Sequence, residues 1–141
     1  MNELRTQSQY LKDDRMVIGR LLPGTSLIKG IEKICLDHEI NYGTIVTAIG
    51  SLEHGDVVWA LSDHSAKLGI KYSEPTQIHG PLELLGCQGM IGLSPDKKLN
   101  IHMHGVMSDP HLKVYGGHFI ETGNTVLATV EIMIKHIKGV E

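Results

Sequence analysis

The stretch IHMHGVMSDPHLKVYGGHF, residues 101–119, places four histidines in a segment whose pattern otherwise predicts two strands joined by a turn. Before the turn, apolar residues alternate with other types, which indicates a strand with one buried face. Asp109 and Pro110 favour the turn between the strands. The segment therefore decides which side of a predicted sheet the histidines occupy.

Alternation along the first of these strands separates two kinds of side chain. His102 and His104 share one face, while Ile101, Met103 and Met107 share the other. The apolar face is expected to pack under a helix, which leaves the histidine face for a cleft or a subunit interface.

His118 lies on the second strand, directly after a Gly-Gly pair that allows close approach of the backbone. With His102 and His104 it offers three neutral imidazoles and leaves coordination positions open, which is typical of a site for Zn²⁺ or another borderline divalent ion. The alternative is a structural role, or a place in a subunit interface. We interpret His111, in the turn, as solvated. The alternative is that it acts as a fourth ligand.

Two acidic residues are candidates to assist such a metal. Glu83 and Glu131 each lie in an otherwise apolar strand, where a carboxylate needs a partner. Each is expected either to move protons at metal-bound water or to orient a ligand histidine through a hydrogen bond. A place at a sheet edge or a salt bridge to Arg20 is the alternative for both.

The remaining pattern predicts an α+β fold of a sandwich-like kind, with one principal N-terminal helix packed on a mainly antiparallel sheet. The helix is expected over residues 26–40, where Leu27, Ile31 and Ile34 recur at helical spacing. From residue 43 onward the pattern is strand-like, apart from a loose hairpin or loop over 62–76.

The domain organisation follows from length and polarity. Residues 1–14 are polar and aperiodic and predict an arm, while residues 15–141 predict a single domain.

No apolar run is long enough to span a bilayer, and the first residues lack the features of a secretory signal, so a cytoplasmic location is expected. Cys35 and Cys87 are expected to be buried thiols.

Six short motifs together are similar to one known family. They are R-L-x-x-G at 20–24, A-I-G-S-L at 48–52, P-L-E-L-L at 81–85, H-M-H at 102–104, G-G-H-F at 116–119 and T-V-E-I-M-I at 129–134. The pattern resembles the PPC domain, the plant and prokaryote conserved domain, over about residues 20–134. The resemblance implies an α/β fold on an antiparallel sheet, a homotrimer, and a metal site at His102, His104 and His118.

The resemblance also bears on partners. Plant relatives contact DNA through an AT-hook with an R-G-R-P core, and this sequence lacks that motif. The segment Gly80–Leu85 looks like the plant region used for partner contacts, but it has Pro81 and Leu82 where the plant form has Arg-Phe.

Three functions are consistent with these patterns. The first is a homotrimer whose three-histidine metal site acts on a small molecule or serves as a sensor or staple, and the sequence leaves open whether a reaction takes place. The second is a DNA-associated regulator. A net charge of -3 without a basic cluster argues against direct DNA binding, because duplex affinity depends on neutralising phosphates. The third is a purely structural or interaction protein whose histidines line a trimer interface.

Overall fold

The computed structural model describes residues 4–11 and 15–140, which contain one α-helix and nine β-strands. In chain order these are β1 (Thr6–Leu11), β2 (Met16–Leu21), α1 (Leu27–Asp37), β3 (Gly43–Val58), β4 (Ala60–Ser62), β5 (Ile70–Tyr72), β6 (Thr76–Leu93), β7 (Leu99–Ser108), β8 (Val114–Phe119) and β9 (Val126–His136). No helix within these two ranges is long and apolar enough to cross a membrane.

Seven strands form one antiparallel sheet in the order β1-β2-β9-β3-β6-β7-β8, and β4 and β5 form a separate hairpin. The end of β3 also pairs with β8, with Val57 opposite Phe119 and Val58 opposite His118. Strands β3, β6, β7 and β8 therefore close into a ring. This closure holds His118 between β7 on one side and β3 on the other.

The predicted α+β class is wrong, since 60% of the described residues are in strands and only 8% are helical. The fold is largely β. Two physical reasons explain the difference. Strands β3 and β6 run unbroken for 16 and 18 residues, so much of the chain between the expected elements is also strand. The helix ends early, because Glu39 adopts a φ of 54° just after the C-cap His38, and the left-handed region stops a helix.

Helix α1 covers the inner face of the sheet, as its spacing predicts. Its apolar stripe includes Leu27, Ile31 and Ile34, none of which is exposed to solvent. Burying each such side chain contributes about 1.5–3 kcal/mol. A Cβ at Gly19 of β2 would lie 2.8 Å from Ile34 Cδ1, so glycine is needed for the helix to approach this strand. The histidine face of β7 is consequently the outer face.

The segment predicted as an arm contains β1, which pairs with β2 of the same chain from Thr6 opposite Leu21 to Leu11 opposite Met16. Residues 1–3 and 12–14 lie outside the described residues. Tyr10 connects this edge strand to β9, because its hydroxyl is hydrogen-bonded to His136 Nδ1 at 3.0 Å. Strand β1 is thus an edge strand of the main sheet.

Candidate metal centre

The rings of His102, His104 and His118 converge on the outer face of the sheet. His102 and His104 point outward from β7, while Met103 and Met107 between and beyond them are fully buried. His118 of β8 lies directly opposite His104 in the ladder. The ring centroids are 4.8–5.1 Å apart in all three pairs. One nitrogen from each ring lies within 4.8 Å of the others, so the predicted convergence is confirmed.

The chemistry of these nitrogens fits a cation. His102 Nε2 and His104 Nε2 are 3.0 Å apart, and two such lone pairs need a proton or a positive ion between them. His118 Nδ1 is buried and has no hydrogen-bond partner within residues 4–11 and 15–140. A buried polar atom without a partner is unfavourable unless something else binds it. A divalent ion between the three rings would bind one nitrogen of each.

The protonation state also suits a ligand role. Burial lowers the pKa of His118, and the neighbouring imidazoles of His102 and His104 lower it further because they resist a second positive charge. The ring is therefore neutral at pH 7. Neutral imidazole is the form that binds a metal ion.

The turn between β7 and β8 sets the register that brings His118 opposite His104. Asp109 Oδ1 accepts the backbone N–H of His111 at 2.8 Å and of Lys113 at 3.0 Å, and its Oδ2 accepts the Tyr115 hydroxyl. Burial alone would raise the pKa of Asp109, but the hydrogen bonds from Lys113 and His111 hold it below its usual value. The side chain of His111 is exposed, as predicted, and stays in the turn.

The two predicted carboxylates lie elsewhere on the sheet. Glu83 is opposite Ser108, four residues from His104 along β7, which corresponds to about 13 Å. Glu131 of β9 forms a salt bridge with Arg20 at 2.8 Å, and both side chains are about half exposed. The structure thus brings the three histidines together without these carboxylates. The salt bridge to Arg20 is the alternative that the sequence left open for Glu131.

One neighbour of the site was not predicted. Tyr72 of β5 has its ring centroid 5.5 Å from that of His118. It lies in the segment that the sequence predicts as a loose hairpin or loop. No local pattern links such a residue to His118, because the contact depends on how the β4–β5 hairpin folds back on the sheet.

This chain is similar in sequence or in fold to several known proteins. The chain is 28% identical over 115 residues to the bifunctional protein GlmU of Synechococcus sp. (strain JA-3-3Ab). The match covers 82% of this chain but only 16% of that protein's length. A candidate DNA-binding protein from Bacteroides thetaiotaomicron shares the fold with a TM-score of 0.77 and 15% identity, over 95% of this chain and 85% of that chain. A metal-containing protein from Archaeoglobus fulgidus does so with a TM-score of 0.72 and 22% identity, over 99% and 87%.

At these identities the two solved structures establish the fold alone. Family membership comes from the sequence as a whole. The profile of the Plants and Prokaryotes Conserved domain matches residues 8–138, which is nearly the entire described chain. This is the family that the six motifs indicate, so that prediction is confirmed. The chain belongs to the Plants and Prokaryotes Conserved (PCC) domain family.

Proposed function

We propose that this protein binds a divalent metal ion, most naturally Zn²⁺, through His102, His104 and His118, as a homotrimer whose metal remains open to a small molecule. The observation that carries the proposal is the convergence of three imidazole nitrogens within 4.8 Å on one face of the sheet. Zn²⁺ favours nitrogen ligands at about 2.0–2.1 Å, and three protein ligands leave a position for water or a ligand.

Exposure supports an open coordination position. The side chains of His102 and His104 are exposed, and only His118 is partly buried. A structural zinc site is normally enclosed by four protein ligands, whereas a site with three ligands facing solvent can accept a further molecule. When bound, the metal would polarise that molecule or lower the pKa of bound water. The relative from Archaeoglobus fulgidus, named as metal-containing, supports a metal in this fold.

The outer face of the sheet supports association into a trimer. Ile18 and Ile49 are 47% and 49% exposed, and Met90, next to the histidines, is 58% exposed. Apolar side chains grouped on one face favour contact with another subunit. A trimer is also what the family resemblance implies. In this arrangement the metal site borders the interface.

Metal analysis of protein prepared without a histidine tag tests the proposal. We expect about one zinc or other transition metal ion per chain, removed by a chelator and restored by added Zn²⁺. A metal-free protein that also fails to take up Zn²⁺, Co²⁺ or Mn²⁺ in solution would contradict it.

Association with DNA is the second candidate, and the name of the Bacteroides thetaiotaomicron relative favours it. The net charge of -3 weighs against direct binding to phosphates. Fluorescence anisotropy with labelled duplex DNA separates the two candidates. Binding that weakens steeply as salt rises would favour the second, and the metal proposal predicts none at about 150 mM salt.

A further inference from the structure

A cavity of about 320 Å³ lies between helix α1, the start of β7 and the end of β8. His118 forms part of its wall. Asn100 forms another part and lies two residues before His102 on the outward face of β7. The cavity and the candidate metal centre therefore share a boundary. Its volume is at the lower end of the range for small-molecule pockets, about 300–1,000 Å³.

The acidic side chains at this cavity accept hydrogen bonds. Glu32 of α1 and Glu121, which follows β8, line it together with Asn100. Lys29 Nζ donates to Glu32 Oε2 at 3.0 Å and also to Glu121 Oε1. The lysine is thus engaged by both carboxylates. Two carboxylates against one ammonium leave one negative charge in excess, so the cavity favours a ligand that brings donors and a positive charge.

The rest of the wall is apolar. Ile28 and Phe119 are 5% and 2% exposed, and they line the cavity beneath its polar groups. A short hydrocarbon chain would contact these side chains. The combination suits a small amine, in which carbon atoms separate a charged end from a second functional group.

We propose that this cavity is a subsite for the amino group of a small ligand whose other end binds the metal. The inference rests on the proposed metal centre and names the class of molecule that the centre receives. The ammonium group lies against the carboxylates of Glu32 and Glu121, while the metal-binding donor faces His118 and its two partners.

Protein loaded with Co²⁺ provides the test, because its visible absorption changes when a ligand enters the metal's open position. The probes are β-alanine hydroxamate and butanohydroxamate, which have similar size and the same chelating group but differ in an ammonium or a methyl end. We expect the ammonium probe to bind about three- to fivefold more tightly, as for one partly exposed ion pair. In Glu121→Gln, and in Glu32→Gln, this preference should shrink. The control Glu39→Gln makes the same charge change away from the cavity and should keep the preference.

The outcomes separate the two proposals. If Co²⁺ binds but both hydroxamates bind with equal affinity, the subsite is wrong and the metal centre stands. A preference that survives unchanged in both Glu32→Gln and Glu121→Gln also overturns the subsite. If no Co²⁺ binds to the three histidines, the metal centre fails and the subsite fails with it.

Discussion

His118 illustrates how a single residue can indicate a site. Its Nδ1 is buried without a hydrogen-bond partner in the described chain, and its pKa is lowered first by that burial. Such a buried, unpaired polar atom is energetically unfavourable unless something binds it. His102 and His104 of the neighbouring strand β7 supply the other nitrogens, all within 4.8 Å of one another. Cys35 and Cys87, by contrast, are buried as predicted, and burial raises the pKa of both thiols to about 12, so both are protonated at neutral pH.

Replacement of one ligand should abolish tight metal binding. Loss of a residue that only hydrogen-bonds to a metal ligand weakens metal binding by about 10- to 100-fold. Loss of the ligand itself should cost more, so we expect His104→Ala to weaken Zn²⁺ binding by about 100-fold or more. Titration calorimetry against a competing chelator measures this change. His111→Ala is the control, because this exposed histidine of the same hairpin should leave affinity unchanged. Equal affinity in His104→Ala and wild type would exclude His104 as a ligand.

His136 predicts a pH dependence of stability that is separate from the metal. Burial lowers its pKa below the ordinary 6.5, and the charges of Lys138 and Arg15 lower it further. As the pH falls below about 6.5, the unfolded chain takes up a proton at this ring while the folded chain resists it. The free energy of unfolding therefore decreases toward acid.

We expect His136→Asn to lose less stability than wild type between about pH 7.5 and about pH 5.5. Urea denaturation of chelator-treated protein measures this difference. His64→Asn changes an exposed histidine and should follow wild type. If His136→Asn declined as steeply as wild type, this ring would not account for the effect.

The β7–β8 hairpin is the element that was best predicted from sequence. Alternation assigned His102 and His104 to the outer face, and Asp109 fixed the turn locally. These are short-range effects of side-chain direction and turn chemistry. The lengths of β3 and β6 were not predictable in the same way, because their pairing with β9, β7 and β8 is long-range and overrides local turn preferences. The extra pairing of β3 with β8, which positions His118, is also long-range and could not be predicted from local sequence.

Gly105 gives a direct test of this hairpin's packing. It lies between His104 and Val106, and a Cβ there would come within 2.5 Å of Phe119 Cε2 and 2.7 Å of Cys87 Cβ. Gly105→Ala should therefore reduce the free energy of unfolding by about 1–3 kcal/mol, as overpacking of a core does. Gly86→Ala on the neighbouring strand has no heavy atom within 4 Å of its new Cβ and serves as the control. Equal stability of the two variants in denaturant would contradict the close packing.

At the scale of the whole molecule, the outer face of the sheet carries exposed apolar side chains that the proposed trimer would bury. Ile49 lies on this outer face, and Leu36, which is 65% exposed, lies on the outside of α1. We expect light scattering to give three chains per particle for wild type and for Leu36→Arg. Ile49→Arg should give monomers, because a charge would be buried at the interface. A trimer that persists in Ile49→Arg would place the interface elsewhere.

An anomalous difference map collected at the zinc edge from crystals of untagged protein would show whether the three imidazoles hold one ion. We expect one peak per chain, about 2.0–2.1 Å from one nitrogen each of His102, His104 and His118. An empty space between the rings after growth in the presence of Zn²⁺, or a zinc peak held by other residues, would contradict it.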